Sequence, residues 1–130
     1  MLAGLAAARV PTIVYGDREG QEGRVELRRV DPHRFVDDLA SCRALLCTGG
    51  HQLASEAIHL GKPMLVAPES SAEQQLNARE IERLGAGRAI AHRAIDAAAI
   101  RAFLGEGARF RAALRLVPRD GNARAVATLE

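Results

Sequence analysis

The chain is poor in aromatic residues and in lysine, and both shortages limit the partners it could bind. Aromatic residues make up 3% of its 130 residues, which leaves few rings on which the bases of single-stranded nucleic acid could stack. Lys62 is the single lysine, and a net charge of +2 is too small to require a polyanionic partner. We therefore expect no nucleic-acid partner.

The chain also has few residues that could form disulfides or metal sites. Its two cysteines, Cys42 and Cys47, match neither a zinc motif nor a CxxC pair, and its histidines lack the spacing of metal ligands. Cys47 falls in an apolar run and is interpreted as a small core residue, which fits a reducing, cytoplasmic compartment. We expect neither a metal nor another cofactor.

Long apolar runs and several common motifs are missing as well. No run reaches the roughly 20 apolar residues that a membrane-spanning helix needs. The Gly-Lys-Pro run at residues 61–63 lacks the Ser or Thr of a P-loop. The Gly-Ala-Gly run at residues 85–87 precedes a predicted strand instead of following one, so it is not a dinucleotide fingerprint. No GxSxG nucleophile elbow is present.

The sequence does contain an alternation of short apolar runs and amphipathic runs. Its length fits one domain, residues 1–130. Strands are predicted at residues 11–15, 24–30, 44–47, 63–67 and 87–91, with a loop at residues 17–23. Helices are predicted before residue 11, from Asp31 onward, and at residues 51–60, 73–84, 94–104, 108–116 and 120–129. The alternation indicates an α/β fold: a Rossmann-like parallel sheet with helices on both faces.

The most informative segment begins at Thr48, where a predicted buried strand meets a helix. Ligands of parallel α/β sheets bind at this edge. Gly49 and Gly50 would let the backbone approach a ligand, and the helix N-terminus offers N–H groups and a positive dipole end that suit a diphosphate. His51 follows the turn and could touch a phosphate. The alternative is a tight turn with no ligand.

Four polar residues further along extend this hypothesis. Glu56 lies inside the predicted helix among apolar residues, where its carboxylate could accept hydrogen bonds from the paired hydroxyls of a ribose. Glu73 and Gln74 open the next helix and could bind sugar hydroxyls, although acidic residues also favour helix starts for electrostatic reasons. Asn77 is expected to face inward as a structural hydrogen-bonding residue. An exposed helical glutamate is the simpler interpretation of Glu56.

The C-terminal part of the chain is rich in arginine. We interpret these arginines as a solvated helix face; the alternative is a surface for acidic lipid headgroups at a membrane periphery or for a partner domain. They are Arg101, Arg109, Arg111, Arg115, Arg119 and Arg124.

The ordered runs TGG, SEAIHLGKPMLVAP, EQQLNA and LGAGRAI resemble the nucleotide-sugar half of GT-B glycosyltransferases, in particular family 28 and the UDP-glucuronosyl/glucosyltransferases. The resemblance covers roughly residues 10–92. It implies that Glu56 binds the ribose hydroxyls, that Glu73 and Gln74 hold the donor sugar, and that uracil lies near residues 34–36. The residues that it places at the donor diphosphate are Thr48, Gly49, Gly50 and His51.

The same resemblance implies a donor-binding fragment. In the family, a first strand and a glycine-rich loop precede the strand that corresponds to residues 11–15, and an N-terminal domain binds the acceptor. We therefore expect the C-terminal half of a GT-B fold without its first strand, which binds a nucleotide sugar, UDP-linked by family analogy. It would be inactive without an acceptor domain or a partner subunit.

Two alternatives belong to other functional classes. A non-hydrolysing UDP-sugar 2-epimerase shares the fold and a similar GG, E and LGKP order, but residues 70–74 depart from the pattern of those enzymes. A non-catalytic interaction domain is the other alternative, because an exposed sheet edge invites pairing with a membrane-bound subunit or with a second copy as a homodimer.

Overall fold

A computed structural model describes residues 1–117, which form helices and strands in alternation. The helices are α1 (Leu2–Ala8), α2 (Pro32–Ser41), α3 (His51–Leu60), α4 (Ala72–Arg83), α5 (Ala97–Gly105) and α6 (Gly107–Leu114). The strands are β1 (Thr12–Gly16), β2 (Gly20–Glu22), β3 (Val25–Arg29), β4 (Leu45–Cys47), β5 (Met64–Val66) and β6 (Gly87–Ala89). The helix predicted at residues 120–129 lies outside the described residues.

The strands form two three-stranded sheets. The first has the order β1-β3-β2, with β1 parallel to β3 and β2 antiparallel to it, and the second has the order β4-β5-β6 and is parallel throughout. The α/β class with a parallel sheet is confirmed. The loop predicted at residues 17–23 was wrong in part, because β2 lies within it. All residues of β2 are exposed, so the sequence shows no apolar alternation that would predict this strand. It pairs with β3 through its backbone.

Helices cover both faces of the second sheet, as predicted. Met64 and Val66 of β5 are fully buried on the face that packs against α3 and α4, whereas Leu65 between them packs on the opposite face with Phe103 of α5. Cys47 packs against the first of these clusters, where burial raises the pKa of its thiol. The carboxyl ends of β4 and β5 therefore emerge from a closely packed layer.

Local capping sets most helix boundaries. The Asp31 carboxylate accepts a hydrogen bond from the His33 N–H at 3.0 Å, which confirms the predicted start of α2. The predicted bounds of α3 are also confirmed, and Gly61 ends it in the left-handed conformation at φ 71°. The predicted helix at residues 94–104 begins later, at Ala97, because the Asp96 side chain caps it through the Ala99 N–H at 2.8 Å.

Candidate functional site

A glycine turn joins the end of β4 to the start of α3. Gly49 is buried at φ 90°, and a Cβ atom there would lie 2.9 Å from Val66 Cγ1, so only glycine fits without strain. Gly50 differs, because it has an ordinary φ of −58° and open space where a Cβ would be. Gly49 therefore serves packing against β5, whereas Gly50 faces open space at the helix start.

The turn is fastened to α4. The Asn77 side-chain amide donates a hydrogen bond to the Gly49 carbonyl at 2.9 Å, across 28 residues of sequence. A Cβ on Gly49 would also lie 3.3 Å from the Gln74 carbonyl, so the turn adjoins the first turns of α4. The prediction that Asn77 is a structural hydrogen-bonding residue is confirmed. This bond brings the two polar segments, residues 48–51 and 73–74, to the same edge of the sheet.

The start of α3 has no side-chain cap. Side chains of Asp31, Ser71 and Asp96 accept hydrogen bonds at the starts of α2, α4 and α5, whereas the N-cap of α3 is Gly50, which has no side chain to do so. The first N–H groups of any helix lack partners within the helix. At α3 these donors, together with the positive end of the helix dipole, are available to an anion.

Glu56 lies in the same helix, about 7.5 Å along its axis from His51. It is half-buried, and among residues 1–117 its carboxylate has no hydrogen-bond or ion-pair partner. The Cα–Cβ bonds of a helix tilt toward its N-terminus, so the Glu56 side chain leans toward the end of α3 at which the glycine turn lies. This position suits a ligand group bound next to an anion at the helix start.

The remaining predicted site residues differ in their surroundings. Thr48 is half-buried at the end of β4, and His51 is exposed in the first turn of α3. Glu73 is exposed, whereas Gln74 is half-buried and its side-chain oxygen accepts a hydrogen bond from the Glu69 N–H at 2.9 Å. Gln74 thus fastens the loop before α4, a structural role that the sequence did not predict.

A polar network near the carboxyl end of β3 was also missed. Arg28 bonds to Asp38 at 2.5 Å and to Glu26 at 2.6 Å, and the Tyr15 hydroxyl donates a hydrogen bond to Asp38. That bond, together with Arg28, lowers the pKa of Asp38, and burial raises the pKa of Tyr15. The alternation of Glu26 and Arg28 on one face of β3 was the available signal.

A cavity of about 520 Å³ adjoins this network. It is lined by β2, by β3 and by the start of α2, and includes Arg29, Asp31 and Arg34. Of residues 34–36, where the resemblance implies a uracil loop, Arg34 lines it and Phe35 packs on Tyr15 at a ring-centroid distance of 5.2 Å. The cavity therefore offers three arginines and three carboxylates near that loop.

Two classes of site are not found in the described part of the chain. Among residues 1–117, no three His, Cys, Asp or Glu side chains gather closely enough to hold a metal ion. Within the same range, no helix has both the length and the apolar character needed to cross a membrane.

This chain is similar in sequence to known glycosyltransferases. The profile of a family described as glycosyl transferase family 1 matches residues 1–106. A PGL/p-HBAD biosynthesis glycosyltransferase of Mycobacterium tuberculosis is 34% identical over 104 residues, which cover 72% of this chain and 24% of that protein. The chain thus spans about a quarter of the length of this curated relative.

Solved structures agree in fold. The spinosyn forosaminyltransferase SpnP superposes with a TM-score of 0.72 at 20% identity, and the calicheamicin glycosyltransferase CalG4 with a TM-score of 0.71 at 22% identity. Each match covers 98% of this chain and 38% of the other. At this level of identity the likeness concerns the fold alone.

Proposed function

This chain belongs to glycosyl transferase family 1, and on that premise we propose that it is the donor-binding part of a glycosyltransferase that uses a nucleotide sugar, with UDP as the nucleotide. The GT-B fold expected from the sequence is confirmed. The narrower resemblance to family 28 or to UDP-glucuronosyltransferases stays a prediction. The family match favours a transferase over an epimerase.

The observation on which this proposal rests is the uncapped start of α3 at a glycine turn that is fastened to α4. The diphosphate of the donor would lie against Thr48, Gly49, Gly50 and His51. When the sugar leaves, negative charge grows on the diphosphate. The N–H groups of Gly50, His51 and Gln52 are fixed before the reaction, so they would stabilise that charge without reorganising and without a metal.

The Glu56 carboxylate would bind the ribose. Both hydroxyls of a ribose can donate to one carboxylate, and such charge-assisted hydrogen bonds are stronger than neutral ones. The half-burial of Glu56 and its lack of a partner among residues 1–117 support this role. The ribose would then lie beside the diphosphate, on the side of the turn toward which Glu56 leans.

Glu73 and Gln74 would hold the donor sugar at the start of α4. Glu73 is exposed and can accept hydrogen bonds from sugar hydroxyls. The side-chain oxygen of Gln74 bonds to Glu69, which leaves its NH₂ group as the donor for a sugar oxygen. Gln74 would thus orient the loop at residues 68–71 and contact the sugar at the same time.

Transfer requires more than this domain, residues 1–130. The relatives are several times longer, and the acceptor site and the general base would come from an N-terminal acceptor domain or a partner subunit. This chain alone would bind the donor without transferring sugar. The protein would act in the cytoplasm, with its C-terminal arginines exposed to solvent. A peripheral contact with a membrane surface through these arginines, and a homodimer formed through an exposed sheet edge, are the alternatives.

Nucleotide titration followed by amide NMR tests the donor site. UDP is expected to shift the resonances of residues 49–56, and Glu56→Gln to weaken UDP binding about tenfold or more, the loss expected for hydrogen bonds to a charged group. Glu82→Gln is the matched control, because Glu82 is exposed near the end of α4. Unmoved resonances at millimolar UDP, or equal weakening in both variants, would refute the proposal.

A further inference from the structure

Five cationic side chains lie together at the amino ends of the parallel strands. Arg24 immediately precedes β3, Arg43 comes two residues before β4, and Lys62 comes two residues before β5. The other two belong to helices: Arg9 is the C-cap of α1, and Arg101 lies in α5. We call these five residues the basic row. The row lies at the opposite end of β4 from the glycine turn, which follows that strand.

One half of the basic row surrounds the end of α1. Arg24 Nη1 donates a hydrogen bond to the Arg9 carbonyl at 3.3 Å. Arg101 Nη2 donates to the Ala7 carbonyl, two residues before Arg9, at 2.9 Å. Both carbonyls belong to the last turn and the cap of α1, where a helix presents acceptors without partners of its own. The Arg101 bond spans 94 positions of sequence, so the fold itself brings these cations together.

The other half of the row continues from α5 to the second sheet. Arg43 Nη2 donates to the Leu104 carbonyl at 3.3 Å, about one helical turn after Arg101. Lys62 Nζ donates to the carbonyl of Cys42, the residue next to Arg43, at 2.8 Å. These carbonyls lie at the ends of α5 and α2. The five cations are therefore neighbours along one continuous row, although they come from five separate parts of the sequence.

Carboxylates do not neutralise the basic row. Within residues 1–117, none of its five members forms an ion pair. Of the two carboxylates nearest Arg24 in sequence, Glu26 pairs with Arg28, and Glu22 pairs with no cation. Each of the three helix ends offsets about half a positive charge, so most of the charge of the row remains. The four arginines of the row are exposed, and Lys62 is half-buried.

The chemistry of the basic row fits phosphate groups. A guanidinium has five N–H donors in a planar fork that matches the oxygens of a phosphate. Arg24, Arg43 and Arg101 each use one Nη atom on a carbonyl, so further donors of each side chain remain for a phosphate. The row has no aromatic member on which a base could stack or which could anchor a protein partner in a pocket.

We propose that the basic row docks this protein on a membrane surface of anionic phospholipids, through their phosphate groups. Such a surface attracts each nearby Lys or Arg, so it needs no aromatic anchor. Leu60, exposed two residues before Lys62, would add the apolar contact that membrane-surface sites combine with cations. Docking in this way would leave the glycine turn open to solvent at the other end of β4. It involves Arg101 alone of the C-terminal arginines, and it does not depend on the proposed donor site.

Sedimentation with lipid vesicles tests this docking at an ionic strength of about 0.15 M, where charges more than about 8 Å away are largely screened. The chain should bind vesicles that contain phosphatidylglycerol, but not vesicles of phosphatidylcholine alone. The double variant Arg43→Gln/Arg101→Gln should bind about tenfold or more weakly, since each cation near such a surface contributes roughly a factor of five. Glutamine keeps an N–H donor for the carbonyls. The matched control, Arg18→Gln/Arg93→Gln, removes two exposed charges at the carboxyl ends of β1 and β6 and should bind like the unsubstituted chain.

A second measurement uses the unsubstituted chain, so no substitution threatens the fold. Bicelles that contain phosphatidylglycerol should shift the amide NMR resonances of residues 8–10, 42–44 and 101–104, and leave those of Arg18 and Arg93 in place. Equal binding of vesicles by the two double variants would overturn the proposal, and so would shifts confined to the carboxyl ends of the strands. Binding of polyglutamate without binding of the anionic vesicles would also overturn it and would assign the basic row to an acidic polypeptide.

Discussion

The central strands of the two sheets differ in how they are held. In β5 of the second sheet, Met64, Leu65 and Val66 are all buried, whereas β3 of the first sheet buries Val25 and Leu27 and turns half-buried charged residues to its other face. A run buried on both faces is typical of a parallel strand between helices. An alternating run belongs to a sheet with one face that is partly open to water.

This difference indicates which sheet can position a ligand. The glycine turn follows β4 and contacts Val66 of β5, so it rests on a layer in which small changes of shape are costly. The first sheet packs one face against an apolar cluster that includes Val25 and Leu27, but its other face depends on hydrogen bonds and ion pairs that water can partly replace. We therefore expect substitutions near the second sheet to be more harmful than similar ones near the first.

The largest difference in stability is expected when a glycine is replaced by alanine in each of the two sheets. In Gly87→Ala, the new Cβ would lie 1.8 Å from the Met64 carbonyl oxygen, and a backbone atom cannot move aside. We expect a loss of more than about 4 kcal/mol in the free energy of unfolding, enough to prevent folding.

The control is Gly16→Ala at the end of β1, where a Cβ meets nothing within 4 Å. It should leave the free energy of unfolding unchanged or raise it by up to about 1 kcal/mol. Denaturation in urea followed by circular dichroism measures both variants. Similar stability of Gly87→Ala and Gly16→Ala would show that the second sheet is not the less tolerant one.

Within the site, the two glycines of the turn should behave differently. Gly49→Ala forces φ 90° on alanine and places its Cβ 2.9 Å from Val66 Cγ1, so we expect a loss of roughly 1–3 kcal/mol. Gly50→Ala should cost no more than about 1 kcal/mol, since alanine is a poorer N-cap than glycine, but it should weaken UDP binding, because its methyl group occupies the open side of the turn. Urea denaturation and UDP titration separate the two effects. A destabilised Gly50→Ala variant with unchanged UDP binding would reverse these roles.

Much of the second sheet could be predicted from the sequence because its signals are local. Apolar runs bounded by glycine or proline marked β4 and β5, and the helix at residues 51–60 was predicted with its observed bounds. These features are set by helix caps and turns of a few residues each. A short window of sequence therefore contains all the residues that determine them. The inward position of Asn77 could also be predicted from the sequence, because helical spacing places Asn77 on the same helix face as Ile81.

The rest depends on contacts between distant residues. The strand β2 is polar and exposed, so only its pairing with β3 makes it a strand. The network of Tyr15, Arg28 and Asp38 joins residues up to 23 positions apart. The alternation of Glu26 and Arg28 marks a polar face of β3, but nothing within that strand identifies Tyr15 and Asp38 as the partners. The bond from Gln74 to Glu69 was missed for a related reason: it depends on the path of a loop whose residues favour no single conformation.

The smallest expected effect concerns the polar network of the first sheet and its dependence on pH. Tyr15→Phe removes the hydroxyl that donates to Asp38, and we expect a loss of about 1 kcal/mol at pH 7, as for one partly buried hydrogen bond. That bond is the first cause of the lowered pKa of Asp38. A carboxylate with a lowered folded pKa contributes stability above its unfolded pKa of about 3.9, and that stability is lost as the pH falls through the folded value.

The difference in stability between the unsubstituted chain and Tyr15→Phe should therefore be full at pH 7 and shrink as the pH falls below about 4. Thr12→Val is the matched control on the same strand, because the Thr12 hydroxyl donates to the Val10 carbonyl at 2.7 Å and no titrating group is involved. Its effect should not vary with pH. Urea denaturation between pH 7 and pH 3 gives the free energy of unfolding of both variants as a function of pH. If the loss of stability in Tyr15→Phe were the same at every pH, the bond from Tyr15 to ionised Asp38 would contribute no stability to the first sheet.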